Sequence, residues 1–121
     1  MPLETTLERL GADCAVIAIH GGLTLGTNLK TLDGNIQEWA ASGVRRVVLD
    51  LSGCGYCDSA GLGLLIHAAG LFTQAGGALR LAGVTTRVMD LLTMTKTDAL
   101  LSCDPDCATS LARLGCAREE T

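Results

Sequence analysis

Asp58 and Ser59 are the residues whose types and spacing most clearly offer chemistry. They follow an apolar run, 47–51, and come directly before a segment with helical spacing that begins with Ala60. The first backbone N–H groups of a helix lack partners within it, and the helix dipole places partial positive charge there. Either side chain can therefore cap the helix, a contribution of about 1 kcal/mol. A serine at this position also suits phosphorylation, which adds about −1.5 to −2 charge.

The cysteines offer two further kinds of chemistry. Cys54 and Cys57 form a C-x-x-C sequence between a predicted strand and a predicted helix, the setting of a thiol redox site. With Cys103 and Cys107 they have spacings that would allow four sulfur ligands to zinc. A thioredoxin-like site also needs a cis-proline loop, however, and Pro105 belongs to a helix-start pattern instead. We expect reduced, metal-free thiols that pack as small apolar groups at all six positions: Cys14, Cys54, Cys57, Cys103, Cys107 and Cys116.

The sequence argues against an enzyme. His67 lies eight residues after Ser59 on the same predicted helix, about 12 Å along its axis, so it is too far away to act as general base. Cys57 occupies the position of the first glycine in a G-x-S-x-G elbow, and the sequence has no Walker motif. We therefore expect no catalytic residues and no cofactor.

The order of predicted elements is β-β-α-β-α-β-α-β-α, which favours an α/β fold. The predicted strands cover 4–10, 13–20, 44–52, 79–82 and 99–103; the predicted helices cover 28–43, 59–74 and 86–94, and a last one opens at Asp104-Pro105. Gly21 and Gly22 should end the second strand, and 53–57 should form a turn. We expect a mixed, largely parallel sheet of about four to five strands covered by about four helices, in a single domain 1–121 with a tail at 118–121.

Charge and hydropathy limit the classes of partner. The net charge is −4 and the basic residues are scattered, which argues against nucleic acid. No uncharged apolar run reaches the roughly 18 residues of a membrane span, and the N-terminal residues lack the apolar core of a signal peptide. We expect a cytoplasmic protein that is a monomer or a weak dimer.

The segment from Asp58 to Leu65, Asp-Ser-Ala-Gly-Leu-Gly-Leu-Leu after the apolar strand 47–51, resembles the signature of bacterial anti-sigma-factor antagonists. These proteins form part of the STAS (sulphate transporter and anti-sigma antagonist) family. The resemblance implies a STAS fold and a partner-switching cycle. In this cycle the unphosphorylated protein binds an anti-sigma factor that is also a serine kinase, and so frees a sigma factor. Phosphorylation of Ser59 would end the binding, and a serine phosphatase would reverse it.

The same resemblance assigns roles around Ser59. Asp58 would shape the loop and contact the partner, and the contact surface would include Ala60, Gly61, Leu62 and Gly63, whose small residues allow close approach. Gly22 and Thr24 would also lie near the partner. Many relatives carry an acidic residue and then Asp in that loop, so the identity of the partner stays open. An alternative within the family is a structural STAS subunit of a signalling scaffold or of a lipid-transport complex.

Overall fold

A computed structural model describes residues 3–116; the predicted tail at 118–121 lies outside these residues. Five strands form one sheet in the order β1-β2-β3-β4-β5, with β1 antiparallel to β2 and the remaining neighbours parallel. The strands are β1 (Glu4–Leu10), β2 (Cys14–Leu23), β3 (Arg46–Cys57), β4 (Ala78–Ala82) and β5 (Ser102–Asp104). The helices are α1 (Thr27–Ala41), α2 (Ser59–Gln74), α3 (Thr86–Met94) and α4 (Cys107–Leu114), with a short 3-10 helix Thr97–Ala99 before β5. The predicted fold class is confirmed.

The first face of the sheet carries the main core. Alternate residues of β2 and β3, such as Ile17 and Leu49, point to this face because side chains of a strand alternate between its two sides. Helices α1, α2 and α3 cover them with apolar stripes at helical spacing, and Phe72 of α2 is fully buried. None of the helices within 3–116 is long and apolar enough to cross a membrane.

The second face is covered by α4. Leu111 of this helix packs on Val16, Val48 and Ala82 in a smaller apolar cluster. The same cluster contains a disulfide between Cys14 and Cys116, which are 102 residues apart in sequence. The expectation of six reduced thiols is therefore wrong for this pair, because the fold brings the start of β2 next to the end of α4.

The strands β2 and β3 are longer than predicted. Residues 53–57 form the end of β3 and not a turn, and β2 continues through Gly21 and Gly22 to Leu23. Two register shifts keep the strands paired beyond Ala18. The sequence predicts Gly53 as a turn residue. In the structure a Cβ atom at this position would overlap the imidazole of His20, so the glycine leaves room for that side chain.

Two helix starts also differ from the prediction. The helix α1 begins at Thr27 and not at the predicted residue 28, and its N-cap is Gly26, with φ of 154°, a backbone conformation that glycine adopts readily. Asp106, not Asp104, caps α4, its carboxylate accepting a hydrogen bond from Thr109 N at 2.8 Å.

Asp104 cannot cap α4 because its carboxylate is buried in an ionic network. Arg80 donates two hydrogen bonds to it, at 2.6 and 3.1 Å, and Ser110 donates a third at 2.6 Å. Arg113, which is more exposed, donates a fourth at 2.8 Å. These donors, Arg80 first, hold the pKa of Asp104 below its ordinary value in spite of burial. The network joins β4, β5 and α4.

We predict that Asp104→Asn lowers the free energy of unfolding at pH 7 by about 3 kcal/mol, because Arg80 loses a buried counter-charge. A lowered pKa in the folded state means that the carboxylate stabilises the fold above about pH 4 and that this stabilisation is lost as the pH falls through the folded-state value. The difference between the wild type and the variant should therefore shrink in urea unfolding at pH 3.

The matched control is Asp90→Asn at an exposed position of α3, which should change the stability by less than about 0.5 kcal/mol. A loss for Asp104→Asn that is the same at both pH values, or no loss at pH 7, would contradict the assignment.

Candidate functional site

Asp58 joins the end of β2 to the start of α2. Its Oδ1 accepts a hydrogen bond from Gly61 N at 2.9 Å as the N-cap of α2, and its Oδ2 accepts one from Leu25 N, also at 2.9 Å. Its own N–H donates to Leu23 O at 3.1 Å. The bonds from Leu25 and Gly61 hold the pKa of Asp58 below its ordinary value. The carboxylate is therefore an anion that fixes the loop before α1 against the first turn of α2.

Ser59 is the first residue of α2 and is exposed, as predicted. The N-cap is Asp58 and not Ser59, so the carboxylate of Asp58 already occupies donors of the first helical turn. A phosphate on Ser59 would therefore lie at the surface beside an existing negative charge, and would not take over the place of the cap. The site combines an accessible hydroxyl with a fixed neighbouring anion.

The small residues after Ser59 divide between the interior and the surface. Gly61 is buried, and a Cβ atom there would overlap the carbonyl oxygen of Leu23, so the packing of α2 on β2 requires glycine. Leu62 is also buried, in the main core. Gly63 is exposed, with no other atom within 4 Å of the place of a Cβ. Of the predicted contact residues beyond Ser59, Ala60 and Gly63 are thus the ones that face outward.

Ala60 and Gly63 line a groove between α1 and α2, which we call the α1–α2 groove. It has a volume of ≈ 260 Å³ and is lined by Leu25, Gly26, Leu29, Lys30, Asp33, Ala60, Gly63, Leu64 and His67. Leu25, held by Asp58, is 76% exposed at its edge. An exposed leucine beside an apolar groove is a surface on which another molecule can bury area.

Gly22 and Thr24 line a different hollow, of ≈ 400 Å³, together with Tyr56 and Arg87. The guanidinium carbon of Arg87 lies 5.3 Å from the ring centroid of Tyr56, within cation–π distance. Thr24 lines this hollow and its neighbour in sequence, Leu25, lines the α1–α2 groove, so the loop that Asp58 holds contributes to both. The predicted site residues that line a hollow are therefore divided between two hollows, with Ala60 and Gly63 in one and Gly22 and Thr24 in the other.

Sequence reasoning missed the residues that line these hollows from α1, from α3 and from the loop before α1. Leu25 could have been noticed, because an apolar residue between a strand and a glycine-capped helix has no place in either apolar stripe. Lys30 and Asp33 could not, since their position depends on how α1 packs against α2.

The C-x-x-C sequence does not have the setting of a redox site. Cys54 and Cys57 lie in β3 and are buried. Burial, together with the nearby Cys54 and Asp58, raises the pKa of Cys57 to about 12, and burial raises the pKa of Cys54. A reactive thiol needs the opposite shift. Within residues 3–116 the structure gathers no group of three or more His, Cys, Asp or Glu side chains that could hold a metal ion, so Cys54, Cys57, Cys103 and Cys107 do not converge as the zinc alternative supposed.

Solved structures with the same fold include several proteins of low sequence identity. The anti-sigma factor antagonist SpoIIAA in its unphosphorylated form is 15% identical, with a TM-score of 0.78 over 95% of this chain and 100% of that one. An anti-sigma factor antagonist from Mycobacterium paratuberculosis is 18% identical, with a TM-score of 0.79 over 93% of this chain and 94% of that one. At 12% identity, the murine Solute Carrier 26 family member A9 anion transporter has a TM-score of 0.75 over 94% of this chain and 22% of that one. These likenesses establish the fold.

Among curated proteins, none matches the sequence significantly. A family model described as "Mlab, STAS domain" matches residues 7–102, which is most of the chain and includes Asp58, Ser59 and the α1–α2 groove. Since this match and the five-stranded fold agree, the chain belongs to the STAS-domain family.

Proposed function

We propose that this protein is a docking switch of the anti-sigma-factor antagonist type, and not an enzyme. In this proposal the unphosphorylated form binds an anti-sigma factor with serine kinase activity and frees a sigma factor. Phosphorylation of Ser59 ends the binding, and a serine phosphatase restores it. The observation that carries the proposal is the exposed Ser59 hydroxyl beside the fixed carboxylate of Asp58, next to an open apolar groove.

The electrostatics support a switch that leaves the fold unchanged. A phosphate on Ser59 adds about −1.5 to −2 charge beside the carboxylate of Asp58. A partner that covers this surface must then desolvate two adjacent anions, which disfavours docking. Because Ser59 is exposed, a charge on its side chain can be solvated and the folded state has little reason to change.

The solved relatives support the same cycle. SpoIIAA is described as an anti-sigma factor antagonist in its unphosphorylated form, and as a Bacillus cell fate determinant in a phosphorylated form. The phosphorylated structure is 14% identical to this chain, with a TM-score of 0.71 over 91% of this chain and 98% of that one. A protein that exchanges partners with a sigma factor would act in the cytoplasm, which we propose as its location.

A second candidate is a structural STAS subunit of a larger assembly, a signalling scaffold or a lipid-transport complex. The family description favours it, because the matching model is described as "Mlab, STAS domain" and not as an antagonist. The two candidates differ at Ser59: a structural subunit would bind its assembly equally well with or without charge at that position.

The α1–α2 groove is the surface on which we place the partner. Gly63 costs α2 about 1 kcal/mol relative to alanine, and no internal contact requires a glycine there. Asp33 lines the same groove, and its Oδ1 is buried without a hydrogen-bond partner, whereas Oδ2 accepts from Gln37 at 3.2 Å. The open space at Gly63 favours a partner segment that brings an apolar side chain. The unsatisfied Oδ1 of Asp33 favours one that brings a hydrogen-bond donor.

The proposal predicts that Ser59→Asp weakens binding to the cognate anti-sigma factor by about tenfold or more, equivalent to about 1.4 kcal/mol. Ser59→Asn is the matched control, because asparagine has nearly the same shape without the charge. Affinities are measured by isothermal titration calorimetry, in which Ser59→Asn should keep most of the affinity of the wild type. Both variants should melt within about 2 °C of the wild type, since the side chain is exposed. Equal affinities for the two variants would contradict the electrostatic switch and favour the structural subunit.

Gly63→Gln should weaken binding of the same partner by about tenfold, because the new side chain projects into the α1–α2 groove. Gly70→Gln is the matched control: Gly70 is also exposed on α2, with no other atom within 4 Å of the place of a Cβ, and it does not line the groove. Both variants should be as stable as the wild type or slightly more stable, since glutamine is the better helix former. Equal effects of the two substitutions on affinity would place the partner elsewhere.

A further inference from the structure

The disulfide between Cys14 and Cys116 fastens the last helix of the described chain. Cys14 is the first residue of β2, and Cys116 follows Gly115, which ends α4. The bond therefore holds the C-terminal end of α4 on the second face of the sheet. The family match ends at residue 102, before α4 begins, so the helix is not part of the segment that the family model describes.

Two separate anchors seat α4. Asp104 holds its middle and end through Ser110 and Arg113. At the C-terminal end Arg46 donates to the carbonyl oxygens of Leu114 and Gly115, at 3.0 and 3.2 Å, and the disulfide lies beside these bonds.

The helix itself is only eight residues long. Helices of this length are unstable on their own in water, so α4 depends on these anchors and on its apolar contacts.

The disulfide lies beside a surface hollow. Both cysteines are largely buried, Cys14 at 4% and Cys116 at 8% exposure. Cys116 nevertheless lines a surface hollow of ≈ 200 Å³ with Ala108, Leu111 and Ala112. The hollow opens next to Cys116, so a thiolate that approaches the disulfide would come from this side.

We propose that Cys14 and Cys116 form a reversible redox site that controls whether α4 stays on the second face of the sheet. In the reduction, a thiolate of a dithiol reductant attacks the Cys116 sulfur and forms a mixed disulfide, and Cys14 leaves as a thiolate that takes up a proton. The second thiol of the reductant, as a thiolate, then attacks the reductant's first sulfur, the one that is bonded to Cys116 in the mixed disulfide. Cys116 is released as a thiol, and the reductant leaves as its disulfide. A disulfide oxidant reverses the sequence.

Release of α4 would uncover an apolar strip without disturbing Ser59. Val16, Val48 and Ala82 lie under the helix on the second face, whereas α2 and Ser59 belong to the first. Since α4 follows all five strands in the sequence, its release removes no strand from the sheet. Opening of this kind is a local event with its own free energy, smaller than that of global unfolding.

Hydrogen exchange followed by mass spectrometry tests the proposal on the wild-type protein, with and without a dithiol reductant. Peptide mapping under non-reducing conditions first checks the Cys14–Cys116 bond. Reduction should speed exchange of the α4 amides at least tenfold and leave those of α2 within twofold. The variant Cys14→Ser/Cys116→Ser should show the fast exchange in both conditions. Cys103→Ser, which removes a free thiol on the first face, should keep the full response to the reductant.

Three results would overturn the proposal. One is exchange in α4 that is unaffected by reduction; another is equal acceleration in α2 and α4, which would indicate general destabilisation. The third is the absence of the Cys14–Cys116 bond from protein kept under non-reducing conditions. Because the wild-type arm needs no substitution, poor folding of the double variant would not prevent the decision. None of these readouts depends on phosphorylation of Ser59 or on a partner.

Discussion

The two hydrogen bonds that Asp58 accepts, from Leu25 N and Gly61 N, hold the candidate site together. One bond fixes the loop that leads into α1, and the other begins α2, so the same carboxylate sets the positions of both walls of the α1–α2 groove. The carboxylate also accepts the hydrogen bond of a backbone N–H group in the first turn of α2, a donor that would otherwise attract a phosphate to the helix end. The consequence is that Ser59 faces outward, where a charge would act on a partner and not on the fold.

The limits of α2, 59–74, were predicted correctly because the sequence marks both ends, with Asp58 as a cap and Gly76 as a stop. The end of β3 was not predicted, because a signal in the sequence indicated a turn where the strand continues. The segment 53–57 contains two glycines and has the composition of a turn, but the register shifts in its pairing with β2 let it continue as a strand. The pattern Asp104-Pro105 predicted the wrong cap for α4, because the carboxylate of Asp104 accepts hydrogen bonds from Arg80 instead. Arg80 lies 24 residues away in sequence, so a local pattern cannot indicate this contact.

Glycines of α2 illustrate where sequence reasoning about the site stops. Gly61 and Gly63 are the same residue type two positions apart, and both were expected on the contact surface. The structure separates them, because the carbonyl oxygen of Leu23 occupies the space beside Gly61 and nothing occupies the space beside Gly63. The pairing of Cys14 with Cys116 was equally beyond local pattern, since it depends on α4 returning across the sheet to the start of β2. In the cytoplasm, the location proposed for this protein, such a bond is more often a redox sensor than a permanent crosslink.

The most direct test of the central claim is to purify the protein from its own cells under conditions that preserve phosphate, and to map phosphorylated residues by mass spectrometry. The account predicts phosphate on Ser59, with occupancy that falls when the purified protein is treated with a serine phosphatase. Phosphate on another residue with Ser59 unmodified, across growth conditions in which the protein is bound to and released from its partner, would contradict it.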